Sequence, residues 1–174
     1  MREESIFQTV ADKGNSEELE EKGPIYCEDN PWLGKGYYFW DSLIENAEWW
    51  GKTHYHGKYM IFSSSYDAHS DVLFDLVGNL KHLQYLNKFA QGLREKLGLR
   101  SIKVATVIEF MKKENLFPFL AIRAEGRNSK KVFGNINLYF DEKGAYYQPI
   151  LPKVQICLVD FDKFHIADFK FVKK

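Results

Sequence analysis

The sequence predicts an α+β domain built mostly from antiparallel strands, and three features carry that expectation. Helical spacing of apolar residues is confined to the chain before about residue 113, and from Phe117 onward the spacing is that of strands. The longest helical pattern, Asn79 to Leu97, sits between strand patterns as an insertion. Turn-forming clusters, Asn128-Ser129 and Asp141-Glu142-Lys143-Gly144, punctuate the second half. Helices inserted early, with strands alone later, describe an α+β chain and not an alternating βαβ one.

Taken in order, Ser5 to Val10 alternates apolar and polar residues and reads as a first strand. Asn15 or Ser16 caps a short acidic helix, Glu17 to Lys22, which Gly23-Pro24 stops. Residues 25–35 form a loop. Tyr37 to Trp40 is an aromatic strand. Ser42 and Glu45 have capping-box spacing for a helix that places Leu43, Ala47 and Trp50 on its core face and ends at Gly51. Lys58 to Ser65 and Asp71 to Leu76 read as strands. In Asn79 to Leu97, Leu80, Leu83, Leu86, Phe89, Leu93 and Leu97 recur at helical spacing, and Gly98 follows as a C-cap. Lys103 to Lys113 continues the insertion, which spans about 79–113. Later strands are expected over Phe117–Glu125, Val132–Phe140, Val154–Asp160 and Ile166–Val172.

Composition narrows the possible functions. The 174 residues suit one domain, residues 1–174, with enough chain to bury a core. Apolar residues make up 45% and aromatics 16%, which argues for a folded protein. Lys+Arg and Asp+Glu number 24 each, so no global field exists to hold a phosphate backbone nonspecifically. Cys27 and Cys157 have no metal-type spacing and read as free thiols. No apolar run follows Met1-Arg2-Glu3-Glu4, and no segment approaches the ~20 apolar residues of a membrane helix. A cytoplasmic protein without membrane contact is the expectation.

The stretch most able to carry chemistry runs from Leu33 to Trp50. Gly34 and Gly36 permit positive φ and close approach to the backbone. Tyr38 points opposite to Tyr37 and Phe39 in the strand. An aromatic floor can stack a flat heterocycle, with Trp49 as a wall. Asn46, three residues before Trp49 on the helix, can both donate to and accept from an amide. Gly34-Lys35-Gly36 is neither a P-loop nor a dinucleotide fingerprint, because the Lys-Ser/Thr ending and the third glycine are missing. On spacing alone, an aromatic strand after a turn is a core strand.

Leu33 to Trp49 resembles the second motif of ADP-ribosyltransferases of the diphtheria-toxin and poly-ADP-ribosyl polymerase class. That motif reads Gly-Lys-Gly-x-Tyr-Phe-x-Asp, then a helix with a polar residue, Ala and an aromatic. Here it stands as Gly34-Lys35-Gly36-Tyr37-Tyr38-Phe39-Trp40-Asp41, followed by Asn46, Ala47 and Trp49. The resemblance implies a split β-sandwich, two mostly antiparallel sheets meeting at a cleft that takes NAD as substrate. It implies Tyr38 stacked on the nicotinamide, Trp49 on the opposite face, Asn46 at the carboxamide and Gly36 against the ligand. The family's His-Gly-Ser/Thr strand corresponds to Phe7-Gln8-Thr9, with Gln8 and Thr9 near the carboxamide. Its catalytic Glu corresponds to Gln155. The His-Tyr-Glu triad therefore reads Phe7, Tyr38, Gln155.

Two functions follow from that substitution. The first is an NAD-dependent ADP-ribosyltransferase-like enzyme of reduced activity, transferring ADP-ribose to an unknown protein or nucleic-acid acceptor. The second is the same fold kept as a catalytically inactive binding or interaction module. Oligomeric state is not legible.

Other polar residues have ordinary structural uses. His54 and His56 suit a surface loop or strand end. Asp67, His69 and Asp71 suit a turn between strands. His82 reads as an exposed helix residue, and His165 as structural. Lys81, Lys88, Arg94, Lys96, Arg100 and Lys103 read as a solvated face. Arg123 suits a strand-end salt bridge or, with Arg127, Lys130 and Lys131, a pyrophosphate contact. Cys157 in an apolar strand reads as a small hydrophobe with raised pKa.

Overall fold

A computed structural model describes residues 2–29, 31–126, 137–139 and 147–174. The described strands are β1 (Glu3–Ala11), β2 (Tyr26–Cys27), β3 (Gly36–Asp41), β4 (Tyr59–Asp67), β5 (Leu73–Asp75), β6 (Ala121–Glu125), β7 (Asn137–Tyr139), β8 (Tyr147–Pro149), β9 (Val154–Leu158) and β10 (Lys170–Lys173). The helices are α1 (Ser16–Lys22), α2 (Ile44–His54), α3 (Leu80–Leu97) and α4 (Val104–Lys113). No helix among the described residues is long and apolar enough to cross a membrane.

One open sheet carries the molecule, in the order β10-β4-β1-β3-β9-β6-β5, with β2 added to β3. Its described pairings are antiparallel except β5 with β6. β7 and β8 pair separately. Where the resemblance implies two sheets meeting at a cleft, eight of the described strands form one continuous sheet, with the β7–β8 pair apart from it. The join is narrow: β1 meets β3 only at Ile6↔Asp41 and Phe7↔Trp40, whereas β1 pairs with β4 along its whole length. Two halves are thus continuous through one corner.

Alternation along β3 sorts the core. Tyr38 and Trp40 face one side of the sheet, and Tyr37, Phe39 and Asp41 face the other. On the first side α3 and α4 bury Leu86, Leu93, Val107, Ile108 and Met111 against Phe74, Ile122, Ala124 and Cys157. Farther along the same side α2 covers Trp40, Tyr59 and Ile61. On the second side the C-terminal segment packs Phe164 and Phe169 against Ile6, Phe39 and Ile156, and Phe169 stacks on Phe62 with centroids 4.8 Å apart.

α3 forms where its periodicity and caps place it. The Asn79 side chain accepts from the amides of Lys81 and His82, and Gly98 takes the left-handed conformation at φ 64°. α2 departs from expectation at both ends. Ser42 does not cap it; its φ is 61°, and its hydroxyl bonds Glu4 and Asp41. The helix also runs through Gly51, which is buried so close to the Tyr59 ring that a side chain there would collide with it. Gly51 is a contact point and not a stop. The buried face of α2 is Asn46, Ala47 and Gly51, with Trp50 only half-buried. The Val132–Phe140 expectation lies mostly outside the described residues, and β2 and β8 fall where no strand is expected.

Gly36 sets the spacing of β3 and β9. A Cβ there would stand 2.5 Å from the Leu158 carbonyl oxygen and 2.6 Å from Cys157 Sγ. Gly92 on α3 has nothing within 4 Å of such an atom. Gly36→Ala is therefore expected to destabilise by about 1–3 kcal/mol, while Gly92→Ala stabilises by roughly 0.5–1 kcal/mol. Denaturant midpoints check both, and equal responses would remove the close-approach explanation.

Candidate functional site

The narrow corner of the sheet brings the three motifs together. Phe7 on β1 pairs with Trp40 on β3, and Trp40 pairs with Gln155 on β9. These three residues stand abreast on neighbouring strands. Tyr38, paired with Cys157, lies two positions along β3 on the same face. Phe7, Tyr38 and Gln155, distant in sequence, thus share one surface of the sheet.

A buried hydrogen bond helps hold α2 over this surface: Thr9 Oγ1 donates to the Ala47 carbonyl at 2.8 Å. That bond brings Asn46 and Trp49 alongside. Trp49 meets Trp40 edge to face, with centroids 6.1 Å apart. Asn46 is 3% exposed, and its Nδ2 donates to the Pro152 carbonyl at 2.9 Å. Lys153, the next residue, sets its Nζ 2.9 Å from the centre of the Trp49 ring. Desolvation lowers the pKa of that ammonium, so its placement costs hydration.

Tyr38 and Trp49 lie on opposite sides of an internal boundary. Tyr38 packs with the cluster under α3 and α4, and Trp40 and Trp49 with the cluster under α2. The Tyr38 hydroxyl accepts from the Leu33 amide at 3.0 Å and donates to the Gly34 carbonyl at 2.7 Å. Burial raises its pKa far above the ordinary tyrosine value, with the neighbouring Cys157 adding to the effect. The hydroxyl closes the turn at Gly34, whose φ is 99°. Beside it, Trp32 Nε1 donates to Gln155 Oε1 at 2.8 Å, across 123 residues of chain.

The other expected contacts are committed to the chain itself. The buried Gln8 side chain accepts from the Ile25 amide at 2.7 Å and donates to the carbonyls of Ile25 and Tyr38. Thr9 holds α2, as above. The close approach at Gly36 is that of β9 and not of a ligand.

Asp41, the last residue of the glycine-aromatic motif, faces the opposite side. Its buried carboxylate takes Arg123 Nε at 2.7 Å and the Tyr66 hydroxyl at 3.1 Å, and Arg123 Nη1 reaches Asp75 at 3.2 Å. Desolvation works against the Arg123 charge, but Asp41, Tyr66 and Asp75 outweigh it and raise its pKa. Arg123 thus makes the salt-bridge use of the two expected for it. Arg127, Lys130 and Lys131 lie outside the described residues. A cavity of about 460 Å³ opens above this network, lined in part by Arg123, Asp75, His69 and His82.

His82 is not an exposed helix residue. Its Nδ1 accepts from the Asp75 amide at 3.0 Å, and its ring packs on Phe74 and Phe119. His54 stacks on Trp50, with centroids 4.5 Å apart. Asp67 builds the expected turn by accepting from the amides of His69 and Arg2.

Trp32, Trp40 and Lys153 join the site without having been singled out as site residues. Trp40 was signalled, because its side chain must share a face with Tyr38. Trp32 and Lys153 were not, since only sheet pairing brings residue 32 or residue 49 near the start of β9. No family model, curated protein or solved structure matches this chain.

Cys157 behaves as expected for a buried thiol. Burial pushes its pKa from the ordinary 9.0 up to about 12. The folded state therefore holds the neutral thiol while the unfolded chain ionises first. The stability linked to this group is complete below pH 9 and declines as pH rises from 9 through 12. Iodoacetamide at pH 8 is expected to label half-buried Cys27 and spare Cys157. Cys157→Ala should flatten the alkaline loss of stability; an unchanged slope would assign that loss to other groups.

Proposed function

We propose that the protein is an ADP-ribosyltransferase-like NAD-binding protein whose nicotinamide site lies where β1, β3 and β9 meet. The observation that carries this reading is the register. Phe7, Tyr38 and Gln155, chosen from three separate motifs, fall on one face of three adjacent strands. Trp49 on α2 packs with Phe7 and Trp40, across the internal boundary from Tyr38, and Asn46 lies three residues before it. Had the motif matches been accidental, nothing would require their strands to be neighbours in the sheet.

The chemistry expected there is slow. Cleaving nicotinamide from ribose develops positive charge on the sugar, and a fixed carboxylate stabilises it. Gln155 can hold a hydroxyl but supplies no charge. Losing one such group costs about 2.7–4 kcal/mol, or about 10²–10³ in rate. Phe7 offers no hydrogen bond where the family has His. The acceptor is a protein or nucleic acid, which the neutral overall charge leaves open.

The second reading, a binding module without turnover, is favoured by the Trp32–Gln155 bond, which gives Gln155 a structural partner. One pair of measurements separates the two. Calorimetry of the wild-type protein against NAD is expected to detect binding, and none at millimolar ligand would remove both NAD readings. Gln155→Glu is then expected to raise nicotinamide release by about 10²–10³-fold. Binding with no release from either protein favours the module. An ADP-ribose adduct that vanishes in Tyr38→Ala refutes it.

A further inference from the structure

We propose that Pro152-Lys153 is a built-in stand-in for nicotinamide, displaced when the ligand's charged ring enters. This rests on the nicotinamide site lying beside α2, and it adds what holds that site closed and what opens it. A pyridinium carboxamide brings two recognisable groups, a carbonyl acceptor and a positively charged flat ring. The chain presents the same pair. The Pro152 carbonyl accepts from Asn46 Nδ2 at 2.9 Å, the bond a carboxamide oxygen would take. The Lys153 ammonium lies 2.9 Å from the centre of the Trp49 ring, where a cation gains from the ring's negative face. The two groups come from consecutive residues, and they meet two side chains three apart on one helix.

The contact is built at a cost. Lys153 gives up water to reach the indole, and no carboxylate pairs with it among the described residues. An ammonium free to seek solvent would ordinarily stretch outward on its stem. Trp32 holds Gln155, two residues further on, so the start of β9 is fastened on both sides. A cationic ring can exchange with Lys153 at little net loss, because one cation–π contact replaces another. A neutral ring gains less, since it must displace the ammonium without supplying the charge.

Two measurements on the whole chain test this, with 1-methylnicotinamide as the cationic probe and nicotinamide as the neutral one. The first is the NMR position of the lysine ε-methylene groups. One is expected to be shifted upfield by the indole ring current, to vanish in Lys153→Met, and to return to the ordinary position as 1-methylnicotinamide saturates the protein. The second is affinity by tryptophan fluorescence. Lys153→Met, which keeps the aliphatic stem, is expected to bind 1-methylnicotinamide about 2- to 30-fold more tightly, and nicotinamide by a similar factor, because either ring displaces the same ammonium. Absence of the upfield resonance overturns the proposal, as does its persistence with ligand bound. Equal or weaker binding by Lys153→Met overturns it while leaving the NAD site standing. If neither probe binds either protein, the NAD site itself falls, and the Lys153 contact is then only packing.

Discussion

Strand β3 must pair on both sides at once, and the rest of the molecule depends on that. It meets β1 through two residue pairs and β9 through four, so it alone joins the two halves of the sheet. Gly36 lets β9 approach closely enough, because any side chain there would strike the Leu158 carbonyl. At the other end Asp41 is tied to Arg123, on the far side of β9. A charge this deeply buried is tolerated only with its partners in place, so Asp41, Arg123, Tyr66 and Asp75 fix the relative position of four strands, β3, β6, β4 and β5. The pairing thereby positions the site on one face, and the ion network locks the other.

On the site face nearly every polar group already has a partner from the same chain. Thr9 holds α2, Tyr38 holds the turn at Gly34, Asn46 holds Pro152 and Gln155 holds Trp32, while Gln8, turned to the opposite face of β1, holds Ile25. Buried polar groups are costly when unmet, which is why these side chains bond within the chain. The bonds of Asn46 and Gln155 reach across to the loop before β9 and to Trp32. The aromatic boundary between Tyr38 and Trp49 follows from the same arrangement, because α2 and the α3–α4 pair cover separate parts of the sheet.

Local physics accounts for what was legible in the residues. Helix α3 shows a long apolar period, an asparagine that satisfies two orphan amides and a left-handed glycine at its end, all encoded within the helix. Cys157 lies in an apolar strand, and burial follows directly from that. The existence and order of most strands came from alternation, and the motif residues came from likeness to a known pattern. Those signals act over a few residues, so they survive without the rest of the molecule.

What only the tertiary structure decided involves partners far along the chain. Gly51 lies inside α2 because a tyrosine ring from β4 needs its missing side chain. His82 is drawn in by the Asp75 amide, and Asp41 is spent on Arg123. The two expected sheets are one, since two residue pairs suffice to join them. Lys153 over Trp49, and Trp32 on Gln155, exist only once β9 lies beside β3. Sequence spacing sets which side chains share an element. The contacts between elements depend on how the sheet closes around β3, and no local period carries that information.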